Sequence, residues 1–345
     1  MADSHSKSSR NPALDGMRVV AMAGVVLIHL TAARMSAGPS LLTEVVNALG
    51  RFAVPTFMAV SGYLHVQSMS RSGSSGALLS RMRRLVPAYV VWSAIYLVDA
   101  AIRTPEVSWT ASRATRTVLL GGAGYHLWFI PALISLQLVA SLASTPARRR
   151  VLLALGLALG AVTVFGPSQI AAGEFWTWLG LGASALFDRT LVAMLLPYAL
   201  GMAVADLPSA YGRWFRFAAP IMVLAGFAIA TTIVWARHDG TSLWVVENRR
   251  LVYYCMTTIV AFIVTSAAVR DRRLFGVERL APLAPLSFGV YLIHPLLRPV
   301  VLDWLPASSL PSWQWIPLSA IALLTLSGLA TWVLLRIPYV RRTLG

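Results

Sequence analysis

The residues best suited to chemistry are an arginine and a histidine near the start of the chain, in the apolar stretch LDGMRVVAMAGVVLIHL. Arg18 and His29 are eleven positions apart, which in an α-helix is about three turns and a rise of about 16 Å. Both side chains therefore lie on one helical face. Since each costs free energy in hydrocarbon, that face is predicted to line a protein interior or a water-filled cavity. His29 is a general base or an acyl-accepting nucleophile, and Arg18 is either a ligand clamp or an anchor at the headgroups.

A second basic group, RMRR at residues 81–84, precedes a later apolar span. Arg81 and Arg84 share a helical face if the helix extends back that far, and guanidinium groups at this spacing suit phosphate. Arginines before a span also follow from membrane orientation alone. The sequence leaves both explanations open.

Four further residues are candidates for binding an acceptor substrate. Arg51 either binds an anionic acceptor or anchors at the headgroups, and His126 lies beside Trp128, where aromatic residues mark the membrane interface. Tyr291 and His294 lie on the same side of one helix. They either bind the substrate or form a hydrogen bond to a neighbouring helix. These residues are the predicted substrate-binding group.

Several kinds of site are missing from the sequence. It has no paired carboxylates of the glycosidase kind, Walker-type phosphate loop, CxxC motif or GxSxG elbow, and we expect no metal site. The single cysteine, Cys255, lies in an apolar run and is expected in the core. Only Asp99 lies clearly inside a predicted span, which argues against a proton-driven transporter.

The composition indicates a membrane protein with several spans. Of 345 residues, 57% are hydrophobic and 12% are charged, and the mean hydropathy is +0.69, unlike a soluble domain. Residues 1–13 form a polar leader, predicted to be cytoplasmic, without the features of a removable signal peptide. Residues 14–340 are predicted to form one integral, all-α membrane domain. About ten transmembrane helices are predicted, at residues 17–34, 48–66, 85–102, 127–144, 151–167, 190–206, 218–236, 251–269, 284–302 and 314–335.

The basic residues predict the orientation of these spans. The net charge of +16 is spread between apolar spans, so a nucleic-acid partner is not expected. With the N-terminus inside, the cytoplasmic segments carry about twice as many lysines and arginines as the outer loops. The positive-inside rule then places both termini in the cytoplasm.

Local composition gives further expectations. Pro55 and Pro197 are predicted to kink their spans and help open a cavity. Residues 72–76, SGSSG, are predicted to form a flexible loop, and residues 174–187 an interfacial or re-entrant piece. His65, at the end of a span, is expected to contact solvent.

Taken together, these segments resemble the acyltransferase-3 family of multi-spanning bacterial O-acyltransferases. The opening stretch is similar to the family's LDG start, which leads to an arginine, ten residues and a histidine. RMRR is similar to its inner RxxR motif, and RFAVPTFMAVSGYL, YHLWFIPALISL and LSFGVYLIHPLL are similar to further family segments in the same chain order. The resemblance is to the short branch without an SGNH domain.

The resemblance implies transfer of an acyl group, usually acetyl, from cytoplasmic acyl-CoA to a hydroxyl of a glycan, cell-envelope component or secreted metabolite. It implies His29 and Arg18 as catalytic residues and Arg81 and Arg84 as the site for acyl-CoA, a donor substrate and not a permanently bound cofactor. The implied location is a bacterial plasma membrane. A transporter or flippase for a lipid-linked glycan or metabolite is the alternative, since a helical bundle around a basic cavity fits that function as well.

Overall fold

The structure is a computed structural model that describes residues 10–38, 40–104, 110, 114–115, 117–118, 121–165, 191–208, 217–238 and 243–344. These residues are helical or irregular, with no strand among them, as predicted. The helices are α1 (Pro12–Ala37), α2 (Leu41–Gly50), α3 (Ala53–Arg103), α4 (Phe129–Ser141), α5 (Pro146–Phe165), α6 (Leu191–Val204), α7 (Ala218–His238), α8 (Leu243–Arg270), the 3₁₀ stretch η1 (Leu274–Leu286), α9 (Ser287–Trp304), α10 (Ser312–Leu334) and α11 (Pro338–Leu344).

Five segments of the described chain are long and apolar enough to cross a membrane. They are Pro12–Ser36, Leu41–Arg103, Tyr253–Arg270, Leu274–Trp304 and Ser312–Leu334. Shorter apolar helices, at Phe129–Ser141, Ala193–Val204 and Ala219–Val234, fall within three more of the predicted spans. The membrane character is therefore established, whereas the number of ten spans stays a prediction.

The long segment Leu41–Arg103 is not one straight rod. Residues 51–52 separate α2 from α3, and Gly73 interrupts α3 with φ 69° and ψ 169°, a conformation that favours glycine. The flexible loop predicted at residues 72–76 is wrong, because helix continues on both sides of Gly73. The predicted piece at residues 174–187 lies outside the described residues.

Helix α1 is the central element of the bundle. It packs against α2, α3, α8, η1, α9 and α10. Asn11 caps its first turn by accepting hydrogen bonds from two backbone N–H groups, and Pro12 follows at the first helical position, where proline is favoured. The Asn11 side-chain amide also donates to the Ala268 carbonyl at 2.8 Å. The position of α1 along its neighbours is therefore fixed at its N-terminus.

Helices α3 and α6 cross with their backbones in contact. A Cβ atom on Gly62 would lie 2.1 Å from the Tyr198 carbonyl oxygen, and one on Gly201 would lie 1.9 Å from the Ala59 carbonyl oxygen. Small residues are the usual means of such close packing in membranes. Gly62 and Gly201 therefore serve helix packing at this crossing.

A two-pronged ion pair ties the start of α5 to the end of α6. Arg149, 9% exposed, donates through Nε to Asp206 Oδ2 at 2.8 Å and through Nη2 to Oδ1 at 2.6 Å. Its Nη1 also donates to the Ser144 carbonyl at 3.0 Å. Paired hydrogen bonds of this kind fix orientation as well as distance.

We expect Arg149→Met to lower the free energy of unfolding by about 1–3 kcal/mol, because Asp206 and the Ser144 carbonyl lose their donors. Thermal unfolding of the detergent-solubilised protein measures this loss. Arg150→Met is the matched control, since Arg150 is an exposed neighbour. Equal melting temperatures for the two variants would contradict a stabilising role for the pair.

Candidate active site

A cavity of about 660 Å³ lies beside α1, with walls from α3, α4, α6, α8 and α9. Of the residues that the sequence singled out, seven line it: Arg18, His29, Arg51, Arg81, Arg84, His126 and Tyr291. Pro55 and Pro197, at two of the predicted kinks, line it as well. The fold therefore gathers widely separated segments of the chain around one space.

Three arginines form one end of this cavity, here called the arginine end: Arg18, Arg81 and Arg84. They are close enough for the charges of Arg18 and Arg81 to act on Arg84. Arg18 Nη1 donates to Asp15 at 3.4 Å, so part of its charge is balanced. Arg81 and Arg84 have no carboxylate within ion-pair distance among the described residues, and Arg84 lies over the Phe288 ring at 5.7 Å.

Imidazole and phenol rings gather at the other end, here called the histidine end. The ring centroid of His29 lies 4.6 Å from that of Tyr125 and 5.4 Å from that of His294. His126 lies 5.7 Å from His294 and 5.1 Å from Tyr291. Within the described residues, no group of three or more His, Cys, Asp or Glu side chains is arranged to hold a metal ion.

Hydrogen bonds fix the tautomer of His294. Its Nδ1 lies 3.0 Å from the carbonyl oxygens of both Val290 and Tyr291. Because a carbonyl oxygen only accepts, Nδ1 carries the proton, and Nε2 of the neutral ring is an acceptor. His294 is fully buried, and its Nε2 has no hydrogen-bond partner. It therefore supports the stacked His29 ring and does not itself line the cavity.

His126 is buried in the wall of the cavity with both ring nitrogens unpartnered. The Tyr291 hydroxyl donates to its backbone carbonyl at 2.6 Å, which holds the turn before α4 against α9. Burial lowers the pKa of His126 well below its usual range, and the neighbouring His294 and His29 lower it further. The ring of His126 is buried inside the bundle, and its expected position at the depth of the membrane interface stays a prediction.

Arg298 supports the histidine end through contacts with the His29 backbone and the Tyr125 ring. Its Nη1 donates to the backbone carbonyl of His29 at 3.2 Å, and its guanidinium lies over the Tyr125 ring at 5.2 Å. Tyr125 in turn touches the His29 ring. Arg298 thus holds the α1 backbone at His29 and the aromatic ring against it.

Arg51 lies in the cavity wall at the corner between α2 and α3. Its Nη2 donates to Asn47 Oδ1 at 3.4 Å, and its guanidinium lies over the Tyr253 ring at 5.7 Å. Asn47 donates to the Ile28 carbonyl at 3.0 Å. Since Ile28 precedes His29, Arg51 is held near the depth of the histidine end.

The expectation that His65 contacts solvent is wrong. His65 is fully buried, and its Nδ1 lies 2.8 Å from the Tyr198 hydroxyl. The charge of Arg81 acts on both side chains. The span continues past His65 along the close contact between α3 and α6, so a position near its predicted end is still interior.

The comparison with known families decides the class of protein. The family model of acyltransferase-3, described as an acyltransferase domain, matches residues 11–337. The chain belongs to the acyltransferase-3 family. No curated protein and no solved structure matches it.

Membership in the acyltransferase-3 family makes the chain a membrane acyltransferase. The match extends over the whole cavity, whose lining residues run from Arg18 to Tyr291. Tyr125 and Arg298 contact His29 but were not among the residues that the sequence identified. The available signal for Arg298 was its spacing, four positions after His294, which places both on one face of the same helix.

Proposed function

We propose that this member of the acyltransferase-3 family moves an acetyl group from acyl-CoA to a hydroxyl of a glycan, a cell-envelope component or a secreted metabolite. The observation that carries the proposal is the single cavity that joins Arg18, Arg81 and Arg84 to His29. A charged donor can enter at the arginine end and present its reactive carbon at the histidine end. Along α1, Arg18 and His29 are separated by about 16 Å, a distance suited to the long pantetheine arm.

The arginine end is the proposed site for the phosphates of the donor. Arg81 and Arg84 have no carboxylate partners in the described chain, so their guanidinium groups are available for paired hydrogen bonds to phosphate oxygens. Arg18 adds a charge that its contact with Asp15 partly balances. No metal ion or permanently bound cofactor is part of this proposal.

In the proposed reaction, His29 acts as the general base. The acceptor hydroxyl gives its proton to the imidazole while its oxygen bonds to the thioester carbonyl carbon. The carbon–sulfur bond then breaks, and the thiolate takes a proton from the imidazolium to leave as free CoA. Arg18 orients the donor along α1, and Arg51, His126, Tyr291 and His294 form or support the acceptor side.

The proposed orientation follows from charge. Both termini and the arginine end face the cytoplasm of a bacterial cell, where acyl-CoA is found, and the histidine end opens outward. The excess of basic residues in the segments placed inside supports this arrangement. The proposed bundle has about ten spans, in which the two arms of α3 count separately.

The proposal predicts that radiolabelled acetyl-CoA is consumed only from the cytoplasmic face. Inside-out membrane vesicles that contain the protein should release free CoA and transfer label to an acceptor, whereas right-side-out vesicles should leave the donor intact. Thiol release and mass spectrometry of glycans and secreted metabolites measure the two products. Vesicles without the protein are the control.

Two results would contradict the proposal. A donor thioester that stays intact in both kinds of vesicle, while a lipid-linked glycan crosses the membrane, would favour a transporter. Consumption only from the outer face would reverse the proposed orientation.

A further inference from the structure

Arg51 is a positive charge at the histidine end, held in place by neighbouring side chains. The buried Asn47 amide donates to the Ile28 carbonyl at 3.0 Å and to Thr31 Oγ1 at 2.9 Å, and its oxygen accepts from Arg51 at 3.4 Å. The Tyr253 ring lies against the guanidinium. Through Asn47, these contacts tie Arg51 to the part of α1 that carries His29.

Arg51 has no ion-pair partner among the residues that the structure describes. The ion pairs of the described chain join Arg10 and Arg18 to Asp15, Arg103 to Asp99, and Arg149 to Asp206, and none includes Arg51. The described residues that line the cavity include four arginines and no carboxylate. A guanidinium facing such a space is suited to an anionic oxygen group.

The phosphates of the proposed donor explain the positive charges at the arginine end, but they do not explain the charge of Arg51. Arg18, Arg81 and Arg84 lie together. Arg51 is instead tied through Asn47 to the α1 backbone at Ile28, next to the proposed base His29. The cavity wall at that end also contains His126, 2% exposed, with both ring nitrogens lacking partners. Because burying polar groups without partners is costly, His126 is a second sign of a polar ligand at this end.

We propose that the acceptor carries an anionic oxygen group, either a carboxylate or a phosphate, that pairs with Arg51 while its hydroxyl faces His29. This inference rests on the proposed acyl transfer and names the class of acceptor. His126 forms a hydrogen bond to the acceptor from the opposite wall. The anionic group selects the acceptor and takes no part in bond making.

The test compares matched probes that differ in charge. Purified full-length protein in nanodiscs is saturated with CoA, so that the arginine end is occupied, and ligand binding is measured by calorimetry. The pairs are methyl glucoside with methyl glucuronide, and glycerol with glycerol 3-phosphate, which separate carboxylate from phosphate. We expect one anionic probe to bind about tenfold or more tightly than its neutral partner, and Arg51→Gln to abolish this preference.

The control variant is Arg103→Gln, which removes an exposed charge at the far end of α3 from outside the cavity. It should keep the preference, and Arg51→Lys should keep part of it. Equal binding of neutral and anionic probes by the wild-type protein would overturn the inference. An Arg51→Gln effect that follows the charge of the nanodisc lipid, and not that of the probe, would show headgroup anchoring and overturn it as well.

Binding of the probes decides the inference separately from catalysis. In parallel, release of free thiol from acetyl-CoA tests the proposed function. If no thioester is consumed, acyl transfer fails while the binding result still decides whether an anionic ligand pairs with Arg51. If thioester is consumed but charge makes no difference to binding, only the inference about the acceptor fails.

Discussion

His29→Ala is expected to lower the turnover of acyl transfer by about 10²–10⁴-fold, because it removes the proposed general base. Among the described residues that line the cavity, His29 is the one imidazole on the same helix as an arginine of the arginine end. We expect α1 to stay packed, since Asn11 still caps it and the hydrogen bond from Arg298 goes to the backbone carbonyl of His29. Activity should therefore fall without loss of the folded protein from the membrane.

Imidazole rescue makes the test specific to the missing ring. The substitution opens a space next to the cavity, and added imidazole should restore part of the activity of His29→Ala with a dependence on its concentration. The control is Ser36→Ala, an exposed position further along α1. Turnover of His29→Ala within about threefold of the wild-type value would contradict the general-base role, which is worth at least about 10²-fold.

The same protein separates the two possible roles of His29. Incubation with labelled acetyl-CoA and no acceptor should leave the protein unlabelled if His29 is a base. Label retained on the wild-type protein and absent from His29→Ala would instead show an acyl-histidine intermediate. Label retained in this way would place His29 at the reacting carbon, whereas unlabelled protein agrees with the general-base role that the loss of turnover tests.

The shared face of Arg18 and His29 was predictable because helix geometry is local. A spacing of eleven residues in an apolar run fixes both the face and the separation, and the cavity lies along that face. The free-energy cost of polar groups in hydrocarbon then predicted that this face lines a protein interior or a cavity. The same reasoning placed Arg81 and Arg84 together.

The interior position of His126 could not be predicted in this way. Its neighbour Trp128 indicated only the depth of a membrane interface, whereas the burial of the ring goes with the packing of the turn before α4 against α9, where Tyr291 donates to the His126 carbonyl. Partners such as Tyr125 come from segments far apart in the chain. Contacts of this kind depend on tertiary packing and leave no periodic signal in the sequence.

Local composition also failed to predict the structure at His65 and at the SGSSG segment. Both lie where composition favours solvent or a loop, yet helix α3 runs through them. A single glycine, Gly73, provides the change of direction, and the residues around it stay helical. Composition over five residues does not reveal which one residue breaks a helix.

The donor end of the cavity gives the second large expected effect. Replacing both Arg81 and Arg84 by glutamine should raise the KM for acetyl-CoA by about 10²-fold or more, since each charge-assisted hydrogen bond contributes about 1.5–3 kcal/mol. Turnover at saturating donor should change little, because His29 lies at the opposite end. Steady-state kinetics with the purified protein separate these two constants.

A donor without phosphates makes this prediction sharper. S-acetyl-N-acetylcysteamine has the thioester but none of the phosphates, so the double variant and the wild-type protein should use it equally well. Arg83→Gln is the matched control, because Arg83 is exposed and lies outside the cavity in the same basic cluster. An equal loss with both donors would show that Arg81 and Arg84 support the fold and not the phosphates. A loss confined to acetyl-CoA would place the charged half of the donor at the arginine end, which requires the thioester to extend along α1 toward His29.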